Sequence, residues 1–124
     1  MARRVLIADD EPNIVMSLEF LMEQSGYEVR VARTGEEALA AVEAFQPDLI
    51  LLDVMMPRKN GYEVLQAIRG NPARRETRIV MLTAKGRDVD MEKGLGLGAD
   101  AYVTKPFATR ELVARVKGLL GDAP

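Results

Sequence analysis

The stretch VLIADDEPN, residues Val5 to Asn13, passes from a buried strand into a helix within nine residues. Val5–Ala8 is apolar throughout, which is typical of a strand that is buried on both faces. Pro12 suits the first turn of a helix, because the N–H that proline lacks has no partner there. Three adjacent acids, Asp9–Glu11, lie between these two elements. They either stabilise the N-terminus of the helix or bind a cation.

An apolar strand followed by an amphipathic helix recurs five times along the chain. We expect strands at Val5–Ala8, Tyr27–Ala32, Asp48–Asp53, Arg78–Thr83 and Ala101–Thr104. We expect helices from Pro12 up to Gly26 and over Glu36–Phe45, Tyr62–Arg69, Asp88–Leu97 and Thr109–Leu120. Such alternation predicts a parallel sheet with helices on both faces. The second strand alternates polar and apolar residues and therefore belongs at a sheet edge, which favours the order 2-1-3-4-5 of the flavodoxin-like doubly wound α/β fold.

The composition favours a single domain over residues 1–124 with no linker or effector domain, since 48% of the 124 residues are hydrophobic. The chain has no cysteine and no histidine. Disulfides, thiol catalysis, histidine-based zinc sites, Ser-His-Asp triads and phosphohistidine carriers are thereby excluded. The net charge of -2 argues against direct nucleic-acid binding. No apolar run approaches the roughly 18 residues of a membrane span, and no signal peptide is recognisable, so we expect a soluble cytoplasmic protein.

Polar side chains stand at the ends of four predicted strands. Asp9 and Asp10 follow the first strand, Asp53 ends the third, Thr83 ends the fourth and Lys105 follows the fifth. We expect them to converge, because parallel strands all end at one edge, where doubly wound proteins bind ligands. Three carboxylates without histidine or cysteine favour Mg²⁺. A cation, a lysine and a hydroxyl around one carboxylate are what phosphoryl transfer to that carboxylate requires.

Four motifs in order, ADDEP, LLDVMMPRKNG, LTA and GADAYVTKPF, resemble the receiver domain of two-component response regulators. The resemblance covers nearly the whole chain. It implies that Asp53 is the phosphoacceptor. It also implies that Asp10, Asp53 and the backbone carbonyl of Met55 ligate Mg²⁺, with Asp9 acting through a metal-bound water.

The same resemblance implies roles for the ends of the last two strands. Lys105 contacts one phosphate oxygen, Thr83 donates a hydrogen bond to another, and Ala84 follows at the phosphate-contacting end of the strand. Tyr102 is an aromatic switch that turns inward when Thr83 moves. The peptide bond between Lys105 and Pro106 is expected to be cis.

The partners implied by the resemblance are a sensor histidine kinase or phosphotransfer protein and an output protein or effector domain. The predicted output surface consists of the fourth predicted helix, the fifth strand and the fifth predicted helix. Candidate interface residues on it are Lys93, Asp100, Glu111 and Arg115. Because Ala101 stands where a second acid is usual, the set is incomplete, and we expect a monomer or a weak, phosphorylation-dependent homodimer.

Two other functions stay open. A Mg²⁺-dependent phosphatase with an aspartyl-phosphate intermediate would carry Asp-x-Asp after a strand, which neither ADDE nor LDVM contains. A receiver-like scaffold would bind partners without phosphorylation. Turnover of a phosphomonoester would indicate the phosphatase, and failure to label Asp53 would indicate the scaffold.

Overall fold

The chain forms a five-stranded parallel sheet in the computed structural model, which describes residues 3–56, 60–84 and 96–122. The strands are β1 (Arg4–Ala8), β2 (Glu28–Ala32), β3 (Leu49–Asp53), β4 (Arg78–Ala84) and β5 (Ala101–Lys105). Their order across the sheet is β2-β1-β3-β4-β5. The predicted flavodoxin-like doubly wound fold is therefore confirmed.

The helices within the described residues are α1 (Pro12–Gln24), α2 (Gly35–Phe45), α3 (Gly61–Arg69) and α4 (Thr109–Leu120), with a short 3-10 helix at Pro72–Arg74. The predicted helix over Asp88–Leu97 lies mostly outside the described residues, as does Lys93. The label α4 therefore denotes the C-terminal helix, which is the fifth predicted one. Across the described ranges, no helix is both long and apolar enough to cross a membrane.

The edge position predicted for β2 is confirmed by its single neighbour, β1. Glu28 and Arg30 are exposed, while Val29 and Val31 are half-buried. The inner strand β3 is buried along its whole length. A strand that is covered on one face only can keep polar residues at every second position, whereas an inner strand of a parallel sheet cannot.

Side chains alternate across the sheet, so the core divides into two clusters, one on each face. Leu6 and Ile50 belong to the cluster under α2 and α3, which we call the α2–α3 face. Ile7 and Leu51 belong to the cluster under α1 and α4, the α1–α4 face. Burial of each such side chain stabilises the fold by about 1.5–3 kcal/mol.

The start of α3 lies directly against the end of β3. The N–H of Gly61 donates to the carbonyl oxygen of Val54 at 2.9 Å. A Cβ atom on Gly61 would overlap the backbone carbonyl oxygen of Asp53, so a residue without a side chain is needed for this close approach. The side chain of Asn60 accepts the N–H of Glu63 at 3.0 Å and caps the helix. The first turn of α3 is thus fixed to the strand end that carries Asp53.

Candidate functional site

Three carboxylates meet at the edge of the sheet where the strands end, which we call the carboxyl edge. Asp9, Asp10 and Asp53 each offer an oxygen, and these atoms all lie within 4.8 Å of one another. Asp9 and Asp53 are buried, at 0% and 4% exposure, whereas Asp10 is exposed. A hard cation fits this set, because Mg²⁺ prefers carboxylate oxygens and keeps several waters, for which the exposed side leaves room.

The two buried carboxylates are held by the same kind of local turn. Asp9 Oδ1 accepts the N–H of Glu11 at 3.0 Å, and Asp53 Oδ1 accepts the N–H of Met55 at 3.1 Å. Each aspartate therefore bonds the backbone two residues on, as aspartates do in Asx turns. The side chain of Glu11, the N-cap residue of α1, makes no capping hydrogen bond. The arrangement favours cation binding by these acids over stabilisation of the helix start.

Lys105 extends from the end of β5 into the acidic cluster. Its Nζ lies 2.9 Å from Asp9 Oδ2, 3.3 Å from Glu11 Oε1 and 3.5 Å from Asp53 Oδ1. Burial lowers the pKa of Lys105, but its hydrogen bond to Asp9 and the charges of Asp53 and Asp9 outweigh this, so the pKa is raised. The lysine is therefore a fixed positive charge. The peptide bond that follows it, Lys105–Pro106, is cis.

One lysine does not compensate the acids fully. Burial raises the pKa of Asp53 to about 6, and the negative charge of Asp9 adds to the shift. The charge of Lys105 and the N–H of Met55 act in the opposite direction without cancelling it. In the absence of a cation, Asp53 is therefore destabilised as an anion at neutral pH.

Thr83 adds a buried hydroxyl at the end of β4. The residue is 3% exposed, and its Oγ1 has no hydrogen-bond partner in the described part of the chain. A buried polar group without a partner costs about 1–3 kcal/mol, so such a group calls for an explanation. Ala84 is the last residue of β4.

A family model for the response regulator receiver domain matches residues 5–117. The chain belongs to this family. It is a receiver domain and thus a phosphoacceptor signalling module of two-component systems, as its motifs indicated.

Solved structures agree with this assignment. The receiver domain is similar to a putative response regulator from Chloroflexus aurantiacus, with 38% identity, a TM-score of 0.94 and coverage of 98% of this chain and 99% of that one. It is similar to the chemotaxis response regulator CheY4 of Vibrio cholerae, with 31% identity, a TM-score of 0.89 and coverage of 96% and 99%. A BeF3-activated DrrB receiver domain shares 38% identity at a TM-score of 0.87, with coverage of 98% and 99%.

Tyr102 of the receiver domain is buried against a second tyrosine that the sequence did not single out. Its hydroxyl lies 2.8 Å from the hydroxyl of Tyr62, at the start of α3. The two residues are 9% and 7% exposed. The side chain of Tyr102 thus points inward in this structure. The pair joins positions 40 residues apart, so no local pattern in the sequence marks it.

The candidate interface residues of the receiver domain are not equivalent. Glu111 and Arg115 are exposed on α4. Asp100 instead accepts the N–H of Ile79 at 2.7 Å and pairs with Arg69 at 2.8 Å. This carboxylate is engaged inside the domain, because it stands directly before β5 and beside the start of β4, where backbone and guanidinium donors converge.

Proposed function

We propose that Asp53 accepts a phosphoryl group from a sensor histidine kinase or a phosphotransfer protein, with Mg²⁺ bound beside it. The observation that carries this proposal is the convergence of unlike groups on one carboxylate. Asp53 lies beside Asp9 and Asp10, and Lys105 Nζ is 3.5 Å from it. Its strand, β3, pairs with β4, which carries the buried hydroxyl of Thr83. Acids alone would serve a cation, and the lysine and hydroxyl add the donors that an incoming phosphate needs.

Asp10, Asp53 and the backbone carbonyl of Met55 would hold the metal directly, and Asp9 through a water. Support for the indirect role of Asp9 comes from its two oxygens, which already accept the N–H of Glu11 and the ammonium of Lys105. Asp10 is exposed and free of such bonds among the described residues. When bound, Mg²⁺ would offset the charge of the carboxylates and of the phosphoryl oxygens.

The residues of the chain have separate tasks in the transfer. An oxygen of Asp53 forms the new bond to phosphorus, while the bond from phosphorus to the donor breaks and its electron pair stays with the donor. Lys105 leaves its contact with Asp9 for a phosphoryl oxygen. The hydroxyl of Thr83 donates a hydrogen bond to another phosphoryl oxygen. The domain in this way assists its own phosphorylation and does not turn over an external substrate.

The output is read from the surface beside β5 and α4. A groove of about 300 Å³ lies there, and Tyr102, Phe107, Glu111 and Arg115 are among the residues that line it. We assign this groove to an output protein or effector domain. The domain acts in the cytoplasm, as a monomer or a weak homodimer that forms on phosphorylation, and contacts no nucleic acid directly.

Intact-mass measurement after incubation with acetyl phosphate and Mg²⁺ tests the proposal. We expect the mass of one phosphate to be added to the wild-type protein and to the Asp48→Asn variant, and to be absent from Asp53→Asn. Asp48 is a suitable control because it lies at the opposite edge of the sheet, where it accepts the N–H of Arg4 at 2.8 Å. Unchanged labelling of Asp53→Asn would overturn the assignment. Release of free phosphate from many small phosphomonoesters per protein molecule would favour a phosphatase instead.

A further inference from the structure

The hydrogen bond between the hydroxyls of Tyr62 and Tyr102 connects the start of α3 with β5. Tyr62 follows Gly61, whose backbone lies against the carbonyl of Asp53. The first turn of α3 therefore cannot shift without the end of β3 that carries the acceptor. The side chain of Tyr102, which is hydrogen-bonded to Tyr62, is in this way coupled to the position of Asp53.

Tyr102 lies on the same face of the sheet as Thr83. In the register of β4 and β5, Met81 is opposite Tyr102 and Thr83 is opposite Thr104. Because side chains two residues apart point to the same face, Tyr102 and Thr83 both face α2 and α3. The ring of Tyr102 is thus a diagonal neighbour of the Thr83 hydroxyl, which we propose donates a hydrogen bond to the phosphate.

We infer that Tyr62 is a positioning residue that holds Tyr102 in its buried conformation and couples that conformation to the acceptor end of β3. The inference rests on the proposed function, in which Asp53 is the acceptor, and on the switch role that the resemblance implies for Tyr102. It adds a second connection between them, through the first turn of α3 and independent of Thr83. Ligands that favour the buried tyrosine then bind more tightly when the Tyr62 hydroxyl is present, since coupling between two sites is reciprocal.

The size of the effect follows from the loss of the hydrogen bond between the two hydroxyls. A typical intramolecular hydrogen bond changes an equilibrium by a factor of about two to ten. Tyr62→Phe should therefore lower the ratio of buried to outward Tyr102 by about this factor. The affinity for a phosphate mimic should fall by no more than the same factor, because a ligand senses only the population of its competent conformation.

Fluorine NMR of protein labelled with 3-fluorotyrosine measures the conformation directly, because the chain has just three tyrosines. Single Tyr→Phe variants assign the three signals. Without any phosphate mimic, Tyr62→Phe should shift or broaden the signal of Tyr102. Tyr27→Phe is the matched control, since it also removes a hydroxyl with a partner, Asp122 at 2.9 Å, but at the other edge of the sheet. A Tyr102 signal that is the same in wild type and Tyr62→Phe would overturn the inference.

Titration with beryllofluoride and Mg²⁺ tests the coupling to the acceptor. We expect the dissociation constant to rise about two- to fivefold in Tyr62→Phe and to stay unchanged in Tyr27→Phe. In a Tyr102→Phe background, Tyr62→Phe should have a smaller effect, because the hydrogen bond between the two hydroxyls is already gone. An equal effect in that background would show that Tyr62 acts through general stability and would overturn the positioning role. If Asp53→Asn bound beryllofluoride as tightly as the wild type, the acceptor assignment would be wrong. The fluorine measurement does not depend on that assignment.

Discussion

The two edges of the sheet carry aspartates in opposite electrostatic situations. At the edge where the strands begin, the amino edge, each carboxylate has partners of its own. Asp48 accepts the N–H of Arg4, Asp122 accepts the hydroxyl of Tyr27, and Asp100 accepts the N–H of Ile79 and pairs with Arg69. At the carboxyl edge, Asp9 and Asp53 share Lys105, and Asp10 lies in the same cluster.

The difference separates acids that stabilise the fold from acids that bind a ligand. Buried or half-buried charges are kept where their partners satisfy them, whereas a carboxylate whose partners do not offset its burial and a like-charged neighbour raises the free energy of the folded state. The raised pKa of Asp53, about 6, is the signature of this cost. The amino edge therefore contributes stability, whereas the carboxyl edge gives some of it up for the site. The following substitutions test this contrast, from the largest expected effect to the smallest.

Asp100→Ala should give the largest effect, a loss of about 3 kcal/mol in the free energy of unfolding. It leaves the N–H of Ile79 and the guanidinium of Arg69 without their carboxylate partner. Asp100→Asn, which keeps an acceptor oxygen for the N–H, should lose about half as much. Urea denaturation measures both. A loss below about 1 kcal/mol for Asp100→Ala would mean that the amino edge is not the stabilising one.

Asp53→Asn should have the opposite sign and raise the free energy of unfolding by about 2 kcal/mol at pH 7.5 without metal. Asparagine removes the charge whose burial and proximity to Asp9 are unfavourable. Asp48→Asn at the amino edge serves as the control and should be neutral or destabilising. A destabilised Asp53→Asn would show that Lys105 compensates the cluster better than the raised pKa implies.

The gain in the free energy of unfolding of Asp53→Asn over the wild type should decrease as the pH falls. The folded-state pKa of about 6 lies above the ordinary value of 3.8, so the folded wild type binds the extra proton as the pH falls. The cost of the anion is fully present above pH 6 and is lost as the pH falls towards 4. The difference between the two proteins, measured in urea at several pH values, should therefore shrink over this range. A constant difference would assign it to packing and not to charge.

Mg²⁺ should stabilise the wild-type protein at pH 7.5, by about 1.4 kcal/mol for a free concentration near ten times its dissociation constant. Asp10→Asn should reduce this stabilisation more than Asp9→Asn, because a direct ligand contributes more than one that acts through water. Thermal unfolding at increasing Mg²⁺ measures the order, with Asp48→Asn as the control that keeps the full response. Equal or reversed losses would place Asp9 in direct contact with the metal.

Reversal of charge on α4 should have the smallest effect. Glu111→Lys should leave the unphosphorylated domain monomeric and should weaken any dimer formed with beryllofluoride by no more than about fivefold, because exposed ion pairs contribute little. Sedimentation with and without beryllofluoride measures this. The same change at Lys93, as Lys93→Glu, tests the other predicted member of the set. A tight dimer in both states, or one that neither change affects, would locate the interface elsewhere.

The sequence predicted the strands, their order and the convergence at the carboxyl edge, because these follow from local patterns. Apolar runs locate inner strands, and acids at the ends of such runs must share an edge in any parallel sheet. The contact of Lys105 with Asp9 could not be predicted in this way, since it depends on which of several carboxylates is nearest after folding. Nor could the engagement of Asp100, which the sequence suggested as an interface residue but which pairs with Arg69, 31 residues away.

The division of the core into two faces has a consequence for core substitutions. Because side chains alternate along each strand, Asp53 and Lys105 belong to the α1–α4 face, while Thr83 and Tyr102 belong to the α2–α3 face. The acceptor with its lysine, and the hydroxyl with the buried tyrosine, thus draw on different halves of the interior, which meet at the site itself. A core substitution under α1 and α4 therefore reaches the acceptor and its lysine directly, whereas one under α2 and α3 reaches the hydroxyl and the tyrosine pair first.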